Sequence, residues 1–172
     1  MSDRTPPNGT GHVVYPVHND LPEDARNSLI ALLDARLAEA IDLQTQMKQA
    51  HWNVKGPTFV SLHELFDKIN EDVEDYVDLI AERGVQLGGL VHGTSRQVAT
   101  RTTLPEYPLV KEGRQHVEAV TTALAAFGTL VRAAIDRSDD LGDKDTADIF
   151  TEISRGVDKW LWFVEAHRQA DR

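Results

Sequence analysis

His51, His63, Asp67, Asp78 and Glu82 are the side chains of this 172-residue sequence best suited to hold a redox-active metal. Imidazole nitrogen and carboxylate oxygen are the donors that bind ferrous iron or manganese. They fall in one run, HWNVKGPTFVSLHELFDKINEDVEDYVDLIAE, from His51 to Glu82. Between His63 and Glu82 there are eight acids (Glu64, Asp67, Glu71, Asp72, Glu74, Asp75, Asp78, Glu82) and one base, Lys68. So much uncompensated charge requires a bound cation or full solvation. A charged helix face is ordinarily just solvated, and with this many acids, carboxylate pairs four apart arise by chance. Spacing alone therefore leaves both readings open.

The elements that must position these residues are helices. Asp20 is the expected N-cap of a first helix, with Pro22 in its first turn and Glu23 and Asp24 at its positive end. Leu29, Leu33, Leu37, Ala40, Ile41 and Met47 form its apolar face, and Gly56-Pro57 ends it after about Val54. A second helix starts near Thr58, with Val60, Leu62, Phe66, Ile69, Val73, Tyr76, Val77 and Ile80 inward. It stops near Gly84 or Gly88-Gly89. Residues 90–108 form a connection with one short helix, Ser95–Thr100. A third helix is expected from Leu109 to Arg137 and a fourth from Asp143 or Thr146 to Gln169. Val117, Val120, Leu124, Phe127, Val131 and Ile135 face inward on the third. Ile149, Ile153, Val157, Leu161 and Val164 do so on the fourth. No alternating strand pattern occurs. The fold class is all-α: a four-helix bundle with a long crossover, the ferritin-like topology. Residues 21–169 form the bundle domain, and 1–20, rich in proline and glycine, read as a flexible tail.

On an ideal helix with His63 at 0°, Asp67 lies at about 40°, Asp78 at about 60° and Glu82 at about 100°. The apolar set centres roughly 140° from that stripe. The ligand candidates therefore face away from their own core. Asp67 and Asp78 are roughly 16 Å apart along the axis and cannot share a metal within one chain. The pairs 67 with 78 and 63 with 82 share one midpoint, between Asp72 and Val73. An antiparallel two-fold copy crossing there brings Asp67 opposite the second copy's Asp78, and His63 opposite its Glu82. His51, at the end of the first helix, can add a nitrogen.

Composition excludes other classes. The sequence has no cysteine, so disulfides, thiolate zinc sites and thiol catalysis are ruled out. Its net charge of -10 argues against a free-standing nucleic-acid binder and favours cations. The N-terminus lacks the pattern of a secretory signal, and no stretch is expected to reach membrane-span length, so the cytoplasm is the expected location. No ExxH pair of the conventional ferritin type is present.

The stretch KQAHWNVKGPTFVSLHELFDKINEDVEDYVDLIAERGVQLGG resembles the signature region of the Dps proteins, the mini-ferritins. DTADIFTEISRGVDKWLWFVEAH resembles their last helix, so the likeness spans roughly Asp20 to His167. The resemblance implies a subunit of a hollow dodecamer with ferroxidase sites between two-fold-related chains. It implies His51, His63 and Asp67 from one subunit and Asp78 and Glu82 from the other. Ferrous iron is oxidised there, preferably by hydrogen peroxide, and ferric mineral is stored inside. No organic cofactor and no membrane partner are implied. Asp67 and Glu82 are the expected anionic anchors, and Glu82 can bridge two irons. Asp78 either ligates or orients a neighbour. Lys48 matches a family position near the site and can pair with a carboxylate. Packing is the expected role of Trp52, Trp160 and Trp162, with electron donation the alternative for Trp52. Acidic pores place Asp139, Asp143 and Asp148 as candidates, with Asp145 equally near and Lys144 among them.

The family's other activity is DNA binding, and here the sequence departs from it. The segment 1–20 has no lysine, and Asp3, Arg4 and Asp20 sum to about minus one. Arg168 and Arg172 near the end are partly offset by Asp171. Weak or absent DNA binding is expected. The sequence leaves open whether His12 and His18 add a metal site; isolated histidines in a tail are more often incidental.

Overall fold

A computed structural model describes residues 12–169. Five helices follow in order: α1 Glu23–Asn53, α2 Phe59–Gln86, α3 Ser95–Arg101, α4 Gly113–Asp140 and α5 Lys144–Gln169. No strand occurs among the described residues. α1 packs along α2, and α4 along α5; the two hairpins join through α1 with α4 and α2 with α5. The crossover between α2 and α4 lays α3 against α1. This is the expected bundle with its crossover helix.

The core is built from the expected faces. Leu29, Leu33, Met47, Phe66, Ile69, Val73, Ile80, Leu124, Phe127, Val131, Phe150, Ile153 and Val164 are fully buried. Ile41, Val77, Ile135, Ile149 and Leu161 pack at its edge. Val60 is a correction: it is 62% exposed, because at about 60° it lies on the carboxylate stripe rather than the apolar face.

Two helix starts also differ from expectation. α1 begins at Glu23 with Pro22 at the cap position and no side-chain cap, so Asp20 lies too early. The Asn19 side chain instead accepts the Leu21 N–H at 3.0 Å. α4 begins four residues later than expected, at Gly113. There Gln115 Oε1 accepts the N–H groups of Glu112 and Lys111, giving those donors a partner. Leu109 is left 99% exposed.

α1 serves two layers, so it buries carboxylates as well as leucines. Asp34 accepts from the His92 N–H at 2.9 Å and from Arg101 at 2.7 Å. Glu39 accepts from Arg36 and, at 2.6 Å, from the Thr103 hydroxyl. Both carboxylates are buried and fully partnered, as buried charge must be. They fasten the crossover to the bundle.

Part of segment 1–20 is tied down. Residues 1–11 lie outside the described ones. The Val14 and Tyr15 N–H groups both donate to the Gly88 carbonyl, at 2.8 and 3.1 Å, and Val13 N–H donates to Asn27. Gly88 has φ +91°, and a Cβ there would sit 2.7 Å from the Tyr15 carbonyl oxygen. Only glycine accommodates both constraints. Against expectation, one stretch is long and apolar enough to cross a membrane, within α4. Its apolar residues Val117, Val120, Leu124, Phe127 and Val131 are spent on the bundle core.

Candidate metal centre

The end of α1 and the start of α2 meet at two histidines. The His51 and His63 rings stack with centroids 3.7 Å apart and planes 20° apart. His51 Nδ1 donates to the His63 carbonyl at 2.8 Å, and His63 Nδ1 donates to the His51 carbonyl at 2.8 Å. A carbonyl can only accept, so each Nδ1 carries the proton. With Nδ1 committed to a carbonyl, Nε2 is the ring nitrogen left to offer a lone pair to a metal.

Asp67 stands one turn further along α2, 3.8 Å from His51 Nδ1. Its Oδ1 accepts from the Lys48 ammonium, at a site about one third exposed on both sides. That hydrogen bond outweighs desolvation and holds the Asp67 carboxyl below the usual carboxylate range. A cation thus already sits beside the carboxylate, supplied by the chain itself.

Asp78 and Glu82 lie exposed on the same face of α2, beyond reach of the histidines. The structure brings His51, His63 and Asp67 together and leaves Asp78 and Glu82 apart from them. Among the described residues, no three of His, Asp, Glu or Cys converge tightly enough to hold a metal within one chain. The donor chemistry fits ferrous iron, but the donor number in one chain does not complete a site.

The stripe carries one further pair that sequence reasoning missed. Val60 and Val85 are 62% and 51% exposed. They lie at about 60° and 40° on the helical wheel, within the stripe. Their midpoint is also between Asp72 and Val73. The order Val60, His63, Asp67, Asp78, Glu82, Val85 is thus symmetric about one level, apolar at both ends. The signal was present in the sequence as two valines out of phase with the core. Asp72 itself turns to the other side, accepting from Trp160 Nε1 at 2.7 Å and Lys159 at 3.3 Å.

The tryptophans divide. Trp160 is buried, 6% exposed, as expected. Trp52 and Trp162 are 64% and 63% exposed in the single chain, so neither fills the core of its own bundle. The pore candidates divide too. Asp143 is buried, 3% exposed, and receives both a two-oxygen contact from Arg83 at 2.8 and 2.9 Å and the Thr146 hydroxyl. It is a structural partner of Arg83 and not a free pore-lining acid. Asp139 pairs with Lys144; Asp145 and Asp148 are exposed. His12 and His18 are both exposed and join no metal cluster among the described residues.

Comparison with known proteins agrees with this architecture. Residues 30–172 match the family model described as a ferritin-like domain. The chain is 45% identical over 152 residues to the DNA protection during starvation protein of Agrobacterium fabrum, covering 88% of this chain and 94% of that one. It is 30% identical over 151 residues to the protein of that name from Mycolicibacterium smegmatis, covering 87% and 82%. Among solved structures, DpsC from Streptomyces coelicolor superposes with a TM-score of 0.87 at 31% identity, covering 94% and 95%. The fold and the matches define a ferritin-like protein. Within that superfamily, the chain belongs to the Dps family.

Proposed function

We propose that this chain is the subunit of a hollow homo-oligomer, a dodecamer of two-fold dimers, that oxidises ferrous iron and stores the ferric product. The observation that carries this reading is the exposed stripe on α2. It sets donors and apolar residues symmetrically about one level, so that two antiparallel copies complete each other's site. Family membership and the iron-suited donors support it. Each shared site takes His51, His63 and Asp67 from one chain and Asp78 and Glu82 from the other.

Ferrous iron is the substrate. The two Nε2 lone pairs and the Asp67 carboxylate receive it, and Lys48 yields Asp67 as the ion arrives. Glu82 bridges a second ion, and Asp78 ligates or orients a neighbour. Two ferrous ions supply both electrons that peroxide needs: two Fe2+, one H2O2 and two protons give two Fe3+ and two waters. Pairing the metals spares the one-electron cleavage of peroxide that releases hydroxyl radical. The reaction consumes iron and peroxide together, which protects the cell and its DNA.

Anaerobic addition of ferrous iron followed by peroxide is the test. A fast rise in near-ultraviolet absorbance is expected. The His63→Ala, Asp67→Ala double variant should lose that phase while remaining assembled; an equally fast variant would sink the site assignment.

The names of the relatives raise DNA protection by direct binding as a second reading. The segment 1–20 has no lysine to neutralise phosphate, so DNA contact is proposed to be weak or absent at physiological salt. Tight retention of plasmid by the assembled particle in a mobility-shift assay would overturn that.

A further inference from the structure

Tyr107 and His116 are buried together, 4% and 1% exposed. The Tyr107 hydroxyl and His116 Nδ1 are 2.7 Å apart, and the rings lie 6.0 Å apart at 26°. His116 Nε2 is buried with no hydrogen-bond partner among the described residues. A buried polar atom left unpaired carries its full desolvation penalty. A leucine at 116 would avoid that cost, so packing alone does not explain the imidazole. Burial pushes the Tyr107 phenol well above its ordinary value, and burial with the Lys55 charge pushes His116 down. Both rings are therefore neutral at rest, the phenol protonated and hydrogen-bonded to the imidazole.

The pair's position gives it a use. Tyr107 lines a cavity of about 600 Å³ together with Lys48 and Trp52. Lys48 is the residue whose ammonium holds Asp67, and Trp52 follows His51 directly. The cavity beside Lys48 and Trp52 is thus lined by a tyrosine whose phenol oxygen has an imidazole as its partner. Phenol oxidation releases a proton, and a buried phenol is oxidised only where a base takes that proton locally.

We propose that Tyr107 and His116 form a proton-coupled electron donor to the iron site, used when a single ferrous ion meets peroxide. This rests on the ferroxidase reading. Peroxide takes two electrons, and one ferrous ion supplies one. Tyr107 supplies the other, and its proton passes to His116 Nδ1. The balance is: Fe2+, H2O2, the Tyr107 phenol, neutral His116 and two protons give Fe3+, two waters, a neutral tyrosyl radical and the His116 imidazolium. The O–O bond breaks to water without freeing hydroxyl radical. Trp52 is the competing donor, but its exposure of 64% in the single chain leaves it without the buried base that Tyr107 has.

The test uses the assembled full-length protein loaded anaerobically with fewer than one ferrous ion per site, mixed with hydrogen peroxide and freeze-quenched for electron paramagnetic resonance. A tyrosyl signal is expected that narrows with ring-deuterated tyrosine. It should fall at least tenfold in Tyr107→Phe and severalfold in His116→Gln, while spin-trapped hydroxyl radical rises. Should Tyr107→Phe fail to assemble, Tyr15→Phe and Tyr76→Phe decide the matter, since the signal must survive both. A signal that persists in Tyr107→Phe, that is lost in Tyr76→Phe, or that is indolyl and lost in Trp52→Phe overturns the proposal. So does a wild type that oxidises iron rapidly without any radical. Failure of rapid oxidation at two ferrous ions per site would instead remove the ferroxidase reading, and this inference with it.

Discussion

His51 and His63 each donate Nδ1–H to the other's backbone carbonyl, at 2.8 Å in both directions, with their rings stacked. One interaction thereby staples the end of α1 to the start of α2 and turns both Nε2 atoms outward as acceptors. Structure and chemistry depend on the same two bonds. His63→Ala is expected to slow peroxide-dependent iron oxidation by at least ~10-fold and to cost about 1 kcal/mol of stability. Stopped-flow absorbance and thermal unfolding of the same variant check both. A rate change without any stability change would separate the two roles and contradict the staple.

Val60 and Val85 offer a way to separate assembly from ligands. Both lie on the stripe and are exposed in the single chain. Val60→Glu together with Val85→Glu leaves every donor in place but sets like charges against each other across the proposed two-fold. The double variant is expected to shift to monomer by light scattering and to lose the fast oxidation phase. Full activity in a monomeric variant would refute the two-chain site.

Arg83 and Asp143 form a buried ion pair beneath the turn between α4 and α5. Burial raises the Asp143 carboxyl, but the Thr146 and Arg83 hydrogen bonds outweigh it, so the net shift is downward. A carboxyl lowered on folding contributes stability that is fully present above its unfolded value, about 3.9. That contribution disappears as pH falls through the folded value. Asp143→Ala strands the guanidinium and is expected to cost roughly 3–5 kcal/mol at neutral pH. Denaturant melts from pH 7 to pH 3 should show the gap to wild type narrowing toward the acid end. A gap independent of pH would mean the pair contributes nothing through its charge.

Gly156 on α5 allows Tyr76 of α2 to cross it. A Cβ at 156 would lie 1.9 Å from the Tyr76 hydroxyl oxygen and 2.9 Å from its Cζ. Gly156→Ala is expected to destabilise by about 1–3 kcal/mol through overpacking, despite alanine's better helix propensity. Adding Tyr76→Phe should recover part of the loss, because it removes the nearer atom. A stabilised Gly156→Ala would show that the helices separate freely there.

The bundle was legible in the sequence because α2, α4 and α5 each carry one apolar stripe at helical period, and Phe66, Leu124 and Ile153 are buried where that period puts them. The stripe of His63, Asp67, Asp78 and Glu82 was legible for the same reason, as the opposite phase of α2. Helix starts were less legible. Pro22 stands at the α1 cap position without a side-chain hydrogen bond, and α4 starts at a capping box of Glu112 and Gln115, with glutamate in place of the usual serine or threonine. Asp143 was open in the sequence between pore acid and helix cap; it accepts the Thr146 N–H at the start of α5, and its partner Arg83 is sixty residues away, a separation no local pattern reveals. The mutual hydrogen bonds of His51 and His63 depend on how two helices dock, and the Tyr107–His116 pair on how the crossover returns to α4. Neither geometry leaves a mark in spacing.

Mixed assembly tests the shared site most directly. One chain carries His63→Ala and Asp67→Ala; the other carries Asp78→Ala and Glu82→Ala. Each assembled alone lacks every complete site and should be inactive. Refolded together at equal amounts, half the two-fold pairs are mixed and each holds one intact site, so about a quarter of wild-type peroxide-dependent oxidation should return. A mixture no more active than its two components would show that the five residues do not act across two chains.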